Sequence, residues 1–278
     1  MRNLVREKSK KSKLPTQQLY GLYAMDRLIL KLSDSVYSRL LIVKGGGFLL
    51  TTHLGINSRA TRDIDFTVID FKLSNEMISN LVSVIESNGE NSNEYFKIKE
   101  IKKFHSNLGY DGYSLSIDYF NESTKKPISV DFTTGEKLIS IAEHAKFKSI
   151  FTNEQYLLSS YMVEQIIVDK FYTLIAYGSY DDTNTRMKDY YDLYLIRKIN
   201  TNINYSLINE GLDLIMYQRD TIVKKSQYID IINYLHQSEY QRALWNLYSK
   251  KVPYAKDLFF DDVMNEIKIL AKTLIECQ

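Results

Sequence analysis

The spacing of apolar residues along the chain changes period more than once, and those changes mark out its elements. Leu19, Leu22, Tyr23, Met25, Leu28, Ile29 and Leu32 recur at helical intervals and predict a helix from about Thr16 to Leu32. The branched run Leu40-Leu41-Ile42-Val43, bounded by Gly45-Gly46-Gly47, predicts a buried strand that ends in a tight turn. A short helix over Phe48 to Leu54 follows, with Gly55 at its end. Asp63-Ile64-Asp65-Phe66-Thr67-Val68 alternates, so a strand there sets both carboxylates on one face and Ile64 and Phe66 on the other. Ser74 caps a predicted helix over Asn75 to Glu86, with Met77, Ile78, Leu81, Val82 and Ile85 on its buried side. Between Tyr95 and Thr133 the period falls towards two and predicts strands near 95–104, 112–120 and 127–133, with 121–126 as a hairpin turn.

From about Phe151 onward the pattern is helical almost to the end. Ser160 is the expected cap of a helix over Tyr161 to Ala176, and further helices are expected near 186–194, 205–217, 219–236, 239–250 and 257–276. The fold class expected is therefore α/β, or α+β: a basic leader over 1–15, a mixed sheet with flanking helices over 16–150, and an α-helical domain over 151–278. No internal repeat or low-complexity segment interrupts it.

Composition narrows the classes. Hydrophobic residues at 44% and charged residues at 25% suit a packed globular chain rather than a disordered one. A net charge of only +2 declares no overall basic field, so any nucleic-acid contact must come from a local patch. One such patch is the leader, where Arg2, Arg6, Lys8, Lys10, Lys11 and Lys13 read either as a solvated tail or as a contact for RNA or a partner protein. The single cysteine, Cys277, excludes an internal disulfide and favours a reducing cytoplasm. No apolar run approaches the roughly 20 residues of a membrane span, so the chain is expected to be soluble and cytoplasmic. The four histidines share no ligand spacing, and the 22 tyrosines are spread along the chain as packing residues.

The candidate chemistry lies between Lys44 and Phe66. Glycines leave no Cβ in the way, so backbone N–H groups at the head of the next helix can approach a triphosphate. Asp63 and Asp65 repel each other, and a divalent cation relieves that repulsion; hard oxygen ligands suit Mg²⁺ or Mn²⁺. Alone, an Asp-x-Asp strand is more often only a solvated face, and it is the upstream glycine turn that puts the metal reading ahead. Asp131, in Ile128-Ser129-Val130-Asp131-Phe132, is either an exposed strand residue or a third carboxylate of the same site. Lys170 either snorkels to water or reaches an anion. Lys188 and Asp192, four apart, can pair on a helix, which leaves Asp189 unexplained.

The order of these motifs resembles a known family. Lys44-Gly45-Gly46-Gly47-Phe48-Leu49 followed by Arg59-Ala60-Thr61-Arg62-Asp63-Ile64-Asp65-Phe66 is similar to the signature of AbiEii-type nucleotidyltransferases, toxins of abortive-infection and toxin–antitoxin systems. These are related to the MenT toxins and belong to the DNA polymerase β-like nucleotidyltransferase superfamily. Ser129-Val130-Asp131-Phe132 matches the second acidic strand, Met162 to Lys170 the glutamate-and-lysine helix, and Arg186 to Tyr194 the helix with Asp-x-x-Asp-Leu. The resemblance spans about residues 40–197. At one position the turn departs from the pattern: Ser or Thr usually follows the glycine pair, and Gly47 stands here.

The resemblance implies a metal-dependent enzyme that transfers a nucleoside monophosphate from a nucleoside triphosphate to RNA, with a tRNA 3′ end as acceptor and a cognate antitoxin as partner. It implies Asp63, Asp65 and Asp131 as ligands of Mg²⁺ or Mn²⁺, Asp131 alternatively assisting deprotonation of the acceptor hydroxyl. Gly46 and Gly47 would bind the triphosphate, Lys170 would stabilise phosphate charge, and Asp189 would orient Lys170. Arg62 and Lys188 would complete the phosphate contacts. Two other readings stay open: a small-molecule acceptor such as an antibiotic, or a protein hydroxyl; and a catalytically weak nucleotide-binding module, motivated by Gly47.

Overall fold

The computed structural model describes residues 1–69, 73–89, 91–105, 111–178, 185–199 and 202–277. They divide into two compact units, Met1–Glu136 with Ile141–Tyr161, and Lys137–Ser140 with Met162–Gln278. In the first unit the elements run α1 (Arg2–Lys11), α2 (Thr16–Ser33), β1 (Leu41–Lys44), α3 (Gly46–Leu54), β2 (Asp63–Val68), α4 (Asn75–Glu86), β3 (Glu94–His105), β4 (Asp111–Asn121), β5 (Thr124–Thr134), β6 (Ile141–Lys148) and β7 (Gln155–Tyr161). The seven strands form one mixed sheet in the order β3-β4-β5-β2-β1-β7-β6. β2 and β5 are parallel, as are β1 and β7, and the remaining pairs are antiparallel.

Alternation along β2 and β5 sorts the sheet into an apolar and an acidic face. Ile64, Phe66, Val130 and Phe132 are fully buried, and Phe66 and Phe132, paired in register, stack with ring centroids 5.3 Å apart. The helix α2 packs against β5 and β7, α4 packs against β3, and the two helices touch each other. Ser74 Oγ accepts a hydrogen bond from the Met77 N–H at 3.1 Å, the cap that the sequence predicts. The hairpin between β4 and β5 is tighter than expected. Asn121 pairs with Thr124, and Glu122 takes φ +51° in the two-residue turn.

Two sequence expectations are corrected here. Helices were expected from residue 151, yet β7 lies there and, with β6, extends the sheet, so the first unit runs to Tyr161 rather than 150. Ser160 accordingly sits in β7 and caps nothing. The leader is not a frayed tail either: α1 is a regular helix whose Val5 is wholly buried, and Leu14 behind it is buried too.

The second unit is helical: α5 (Val163–Gly178), α6 (Met187–Lys198), α7 (Tyr205–Gln218), α8 (Tyr228–Gln237), α9 (Glu239–Lys251) and α10 (Phe260–Glu276). The helix expected over 219–236 begins only at Tyr228. α7 stops first, because Asp220 turns to φ +47° and the Thr221 N–H reaches back to the Met216 carbonyl at 3.0 Å. No helix among the described residues is long and apolar enough to cross a membrane.

Candidate active site

The acidic face of the first unit is assembled by strand register. Asp65 on β2 pairs with Lys44 on β1 to one side and with Asp131 on β5 to the other, so the two carboxylates share one face on adjacent parallel strands. Asp63 is at the exposed start of β2. β1 ends at Lys44 and is followed by Gly45, whose φ of +74° favours glycine; a Cβ there would also lie 3.0 Å from Asp65 Oδ2. The turn therefore sets the N-terminus of α3 beside the carboxylates. No side chain caps α3, and its first N–H groups, from Gly46 onward, have no partner within the helix.

Around this turn lie three residues to which the sequence reading gave no role. A Cβ on Gly47 would fall 2.6 Å from Thr61 Oγ1, so Thr61 crowds the glycine, and 3.8 Å from an Arg59 guanidinium nitrogen, an ordinary contact. Thr61, nearly buried, reaches the Asp63 carboxylate at 2.7 Å and the Asp63 carbonyl at 3.1 Å. Arg59 is buried and donates to the Ala60 carbonyl. Lys44 Nζ donates to Thr133 Oγ1 at 2.8 Å and to Glu136 Oε1 at 2.5 Å. The signal available was the alternation Arg59, Thr61, Asp63 just before β2. Arg62, singled out instead, is exposed.

One atom of this face is left unsatisfied. Asp131 Oδ1 is shielded from solvent and has no hydrogen-bond partner. An acceptor in that condition costs free energy unless a cation or water meets it. Among the described residues no group of three or more His, Cys, Asp or Glu side chains converges as a metal cage. That is compatible with Mg²⁺, which is held by one or two carboxylates with water and substrate phosphates completing its shell. Asp65 and Asp131 thus fit a divalent ion as a pair.

In the second unit, α5 and α6 bury a separate charged cluster. Lys170 Nζ donates to Asp189 Oδ1 at 2.6 Å and lies 2.9 Å from Asp192 Oδ2, and all three residues are buried. Burial alone would lower the lysine's pKa, but the Asp192 and Asp189 charges outweigh it and hold the pKa above its ordinary value. Arg186 Nε lies 2.9 Å from Asp189 Oδ2. The expected Lys188–Asp192 pair does not form: Asp192 is taken by Lys170, and Lys188 is exposed. Two of the three donors of Lys170 are thereby engaged, and one remains.

Comparison with known proteins agrees with this architecture. The family model described as "Nucleotidyl transferase AbiEii toxin, Type IV TA system" matches residues 27–266. A crystal structure of a candidate nucleotidyltransferase from H. pylori is similar with a TM-score of 0.55 at 15% identity, covering 95% of this chain and 96% of that one. JHP933 from Helicobacter pylori is similar with a TM-score of 0.51 at 13% identity, covering 95% and 94%. No curated protein matches the sequence. With a family model that spans most of both units, the chain belongs to the AbiEii nucleotidyltransferase toxin family.

Proposed function

We propose that this nucleotidyltransferase moves a nucleoside monophosphate from a nucleoside triphosphate to a hydroxyl of RNA, with a tRNA 3′ end as acceptor, and that it does so with Mg²⁺ or Mn²⁺. The observation that carries the metal part is the buried, partnerless Asp131 oxygen beside Asp65. Asp65 and Asp131 would hold the ion, with Asp63 at the rim. Once bound, the ion supplies neutralisation of phosphate charge and activation of the attacking hydroxyl.

The chain's own groups do the positioning. The N–H groups of Gly46 and Gly47 face the triphosphate, and the α3 dipole favours its charge. Thr61 holds the Asp63 carboxylate in one orientation and brings a hydroxyl to the spot where residue 47 carries none. Asp131 would alternatively take the proton of the acceptor hydroxyl as that oxygen bonds the α-phosphorus and pyrophosphate leaves. Lys170, kept charged by Asp189 and Asp192, contributes positive charge to transfer. A cognate antitoxin is the proposed partner.

The test is incubation of the protein with Mg²⁺, each α-labelled nucleoside triphosphate in turn, and total tRNA, with Asp65→Ala alongside. Label on RNA with the wild type alone supports the proposal and names the base. Label on no RNA, with pyrophosphate still released, moves the acceptor to a small molecule or a protein.

A further inference from the structure

The basic leader forms one wall of a cleft whose lining includes none of Asp63, Asp65 and Asp131. In α1, Val5 and Ser9, one turn apart, lie on the side facing α2; Val5 is buried, and Ser9 Oγ lies 3.4 Å from Thr16 Oγ1. Asn57 clamps the end of the leader, accepting from the Lys13 N–H at 3.2 Å and donating to the Lys11 carbonyl at 3.0 Å. With that face fixed, Leu4, Glu7, Lys8 and Lys11 point together into a cleft of about 710 Å³. The opposite wall carries Lys148 from the end of β6, and Thr51, Thr52 and Asn153 also line it. Lys8, Lys11 and Lys148 form no ion pair among the described residues, so three ammonium groups face one cleft against the single carboxylate of Glu7. Arg6 and Lys10 on α1, and Lys13 just beyond it, are exposed and extend the positive charge.

We infer that this cleft is a binding surface for the sugar-phosphate backbone of RNA, engaging the body of the acceptor away from its reacting end. Unpaired lysines are suited to phosphates as point charges without sequence readout. Six basic residues spread along the leader exceed what one small phosphate can meet. α3 supplies the geometry: its N-terminus lies at the glycine turn and its C-terminal Thr51, Thr52 and Leu54 line the cleft, a separation of about 13 Å for nine residues. A strand whose end lies at Asp65 and Asp131 spans that distance in a few nucleotides.

The inference rests on RNA being the acceptor, and the experiment separates the two. Labelled tRNA is titrated with full-length protein by fluorescence anisotropy across a salt series. The proteins compared are the wild type, Lys8→Ala/Lys11→Ala/Lys148→Ala, and a charge-matched control, Lys250→Ala/Lys256→Ala/Lys272→Ala. Thermal unfolding confirms that each is folded. The cleft variant is expected to bind at least about tenfold more weakly and to show a salt slope shallower by about 2–3, whereas the control matches the wild type. Wild type that binds tRNA with a cleft variant of equal affinity and slope overturns the cleft while leaving the acceptor standing, whatever the cleft holds instead, an acidic protein included. Equal losses in both variants also overturn it, since net charge and not the cleft would be responsible. Wild type that binds no RNA overturns both readings.

Discussion

Asp65 and Asp131 are held on one face at adjacent register positions, where their charges repel, and such a pair contributes little to folding. Asp65→Asn or Asp131→Asn should therefore leave stability within about 0.5 kcal/mol of the wild type, by thermal unfolding. Transfer should fall further than the roughly 10–100-fold that loss of an outer partner of a metal costs. Gly47 is constrained differently. Its φ suits any residue, but Thr61 fills the space, so Gly47→Ser should cost about 1–3 kcal/mol through overpacking. Thr61→Ala added to Gly47→Ser should recover most of that in the unfolding midpoint. The two aspartates of β2 were legible in the sequence, because period-two alternation fixes their face. The roles of Thr61 and Arg59 were not, because both act across a turn whose closeness to Gly47 only the folded chain creates.

The Lys170–Asp189–Asp192 cluster ties α5 to α6. Removing its cation strands two buried carboxylates, and Lys170→Met should destabilise the protein by about 3–5 kcal/mol in denaturant unfolding. Adding Asp189→Asn and Asp192→Asn should restore part of it. In the first unit, Asp26 on α2 accepts from Ser149 Oγ at 2.5 Å and from the Ile150 N–H at 2.9 Å, fixing the turn between β6 and β7. Burial raises its pKa above the ordinary 3.8, outweighing the hydrogen bonds that lower it. A raised carboxyl pKa gives stability that is full below 3.8 and lost as pH climbs through the folded value. Asp26→Asn should thus remove one component of that decline, seen as a flatter urea midpoint as pH rises above 3.8. β6 and β7 escaped the sequence reading for physical reasons. β6 is an edge strand with His144 at φ +48° and a register irregularity between Ala142 and Ala145, which breaks its alternation. β7 runs almost directly into α5, so its apolar residues merge with the helical pattern. The end of α7 was hidden because Asp220 takes a position where glycine is the usual signal.

Over the whole molecule, a near-neutral total conceals a division of charge. Positive residues gather in the leader and its cleft, while the acidic face holds the proposed chemistry. Four ordered motifs made the family legible from sequence, since each places a charged residue at a fixed point of one sheet or helix pair. The packing that orders α1 was not, because a lone Val5 among basic residues gives little periodic signal. The most direct test of the account is Mn²⁺ binding followed by electron paramagnetic resonance with nucleoside triphosphate present, comparing the wild type with Asp131→Asn. The account predicts that the wild type removes free Mn²⁺ signal at stoichiometric protein and that Asp131→Asn loses most of this binding while unfolding at the same temperature. Equal Mn²⁺ binding by both proteins would contradict it.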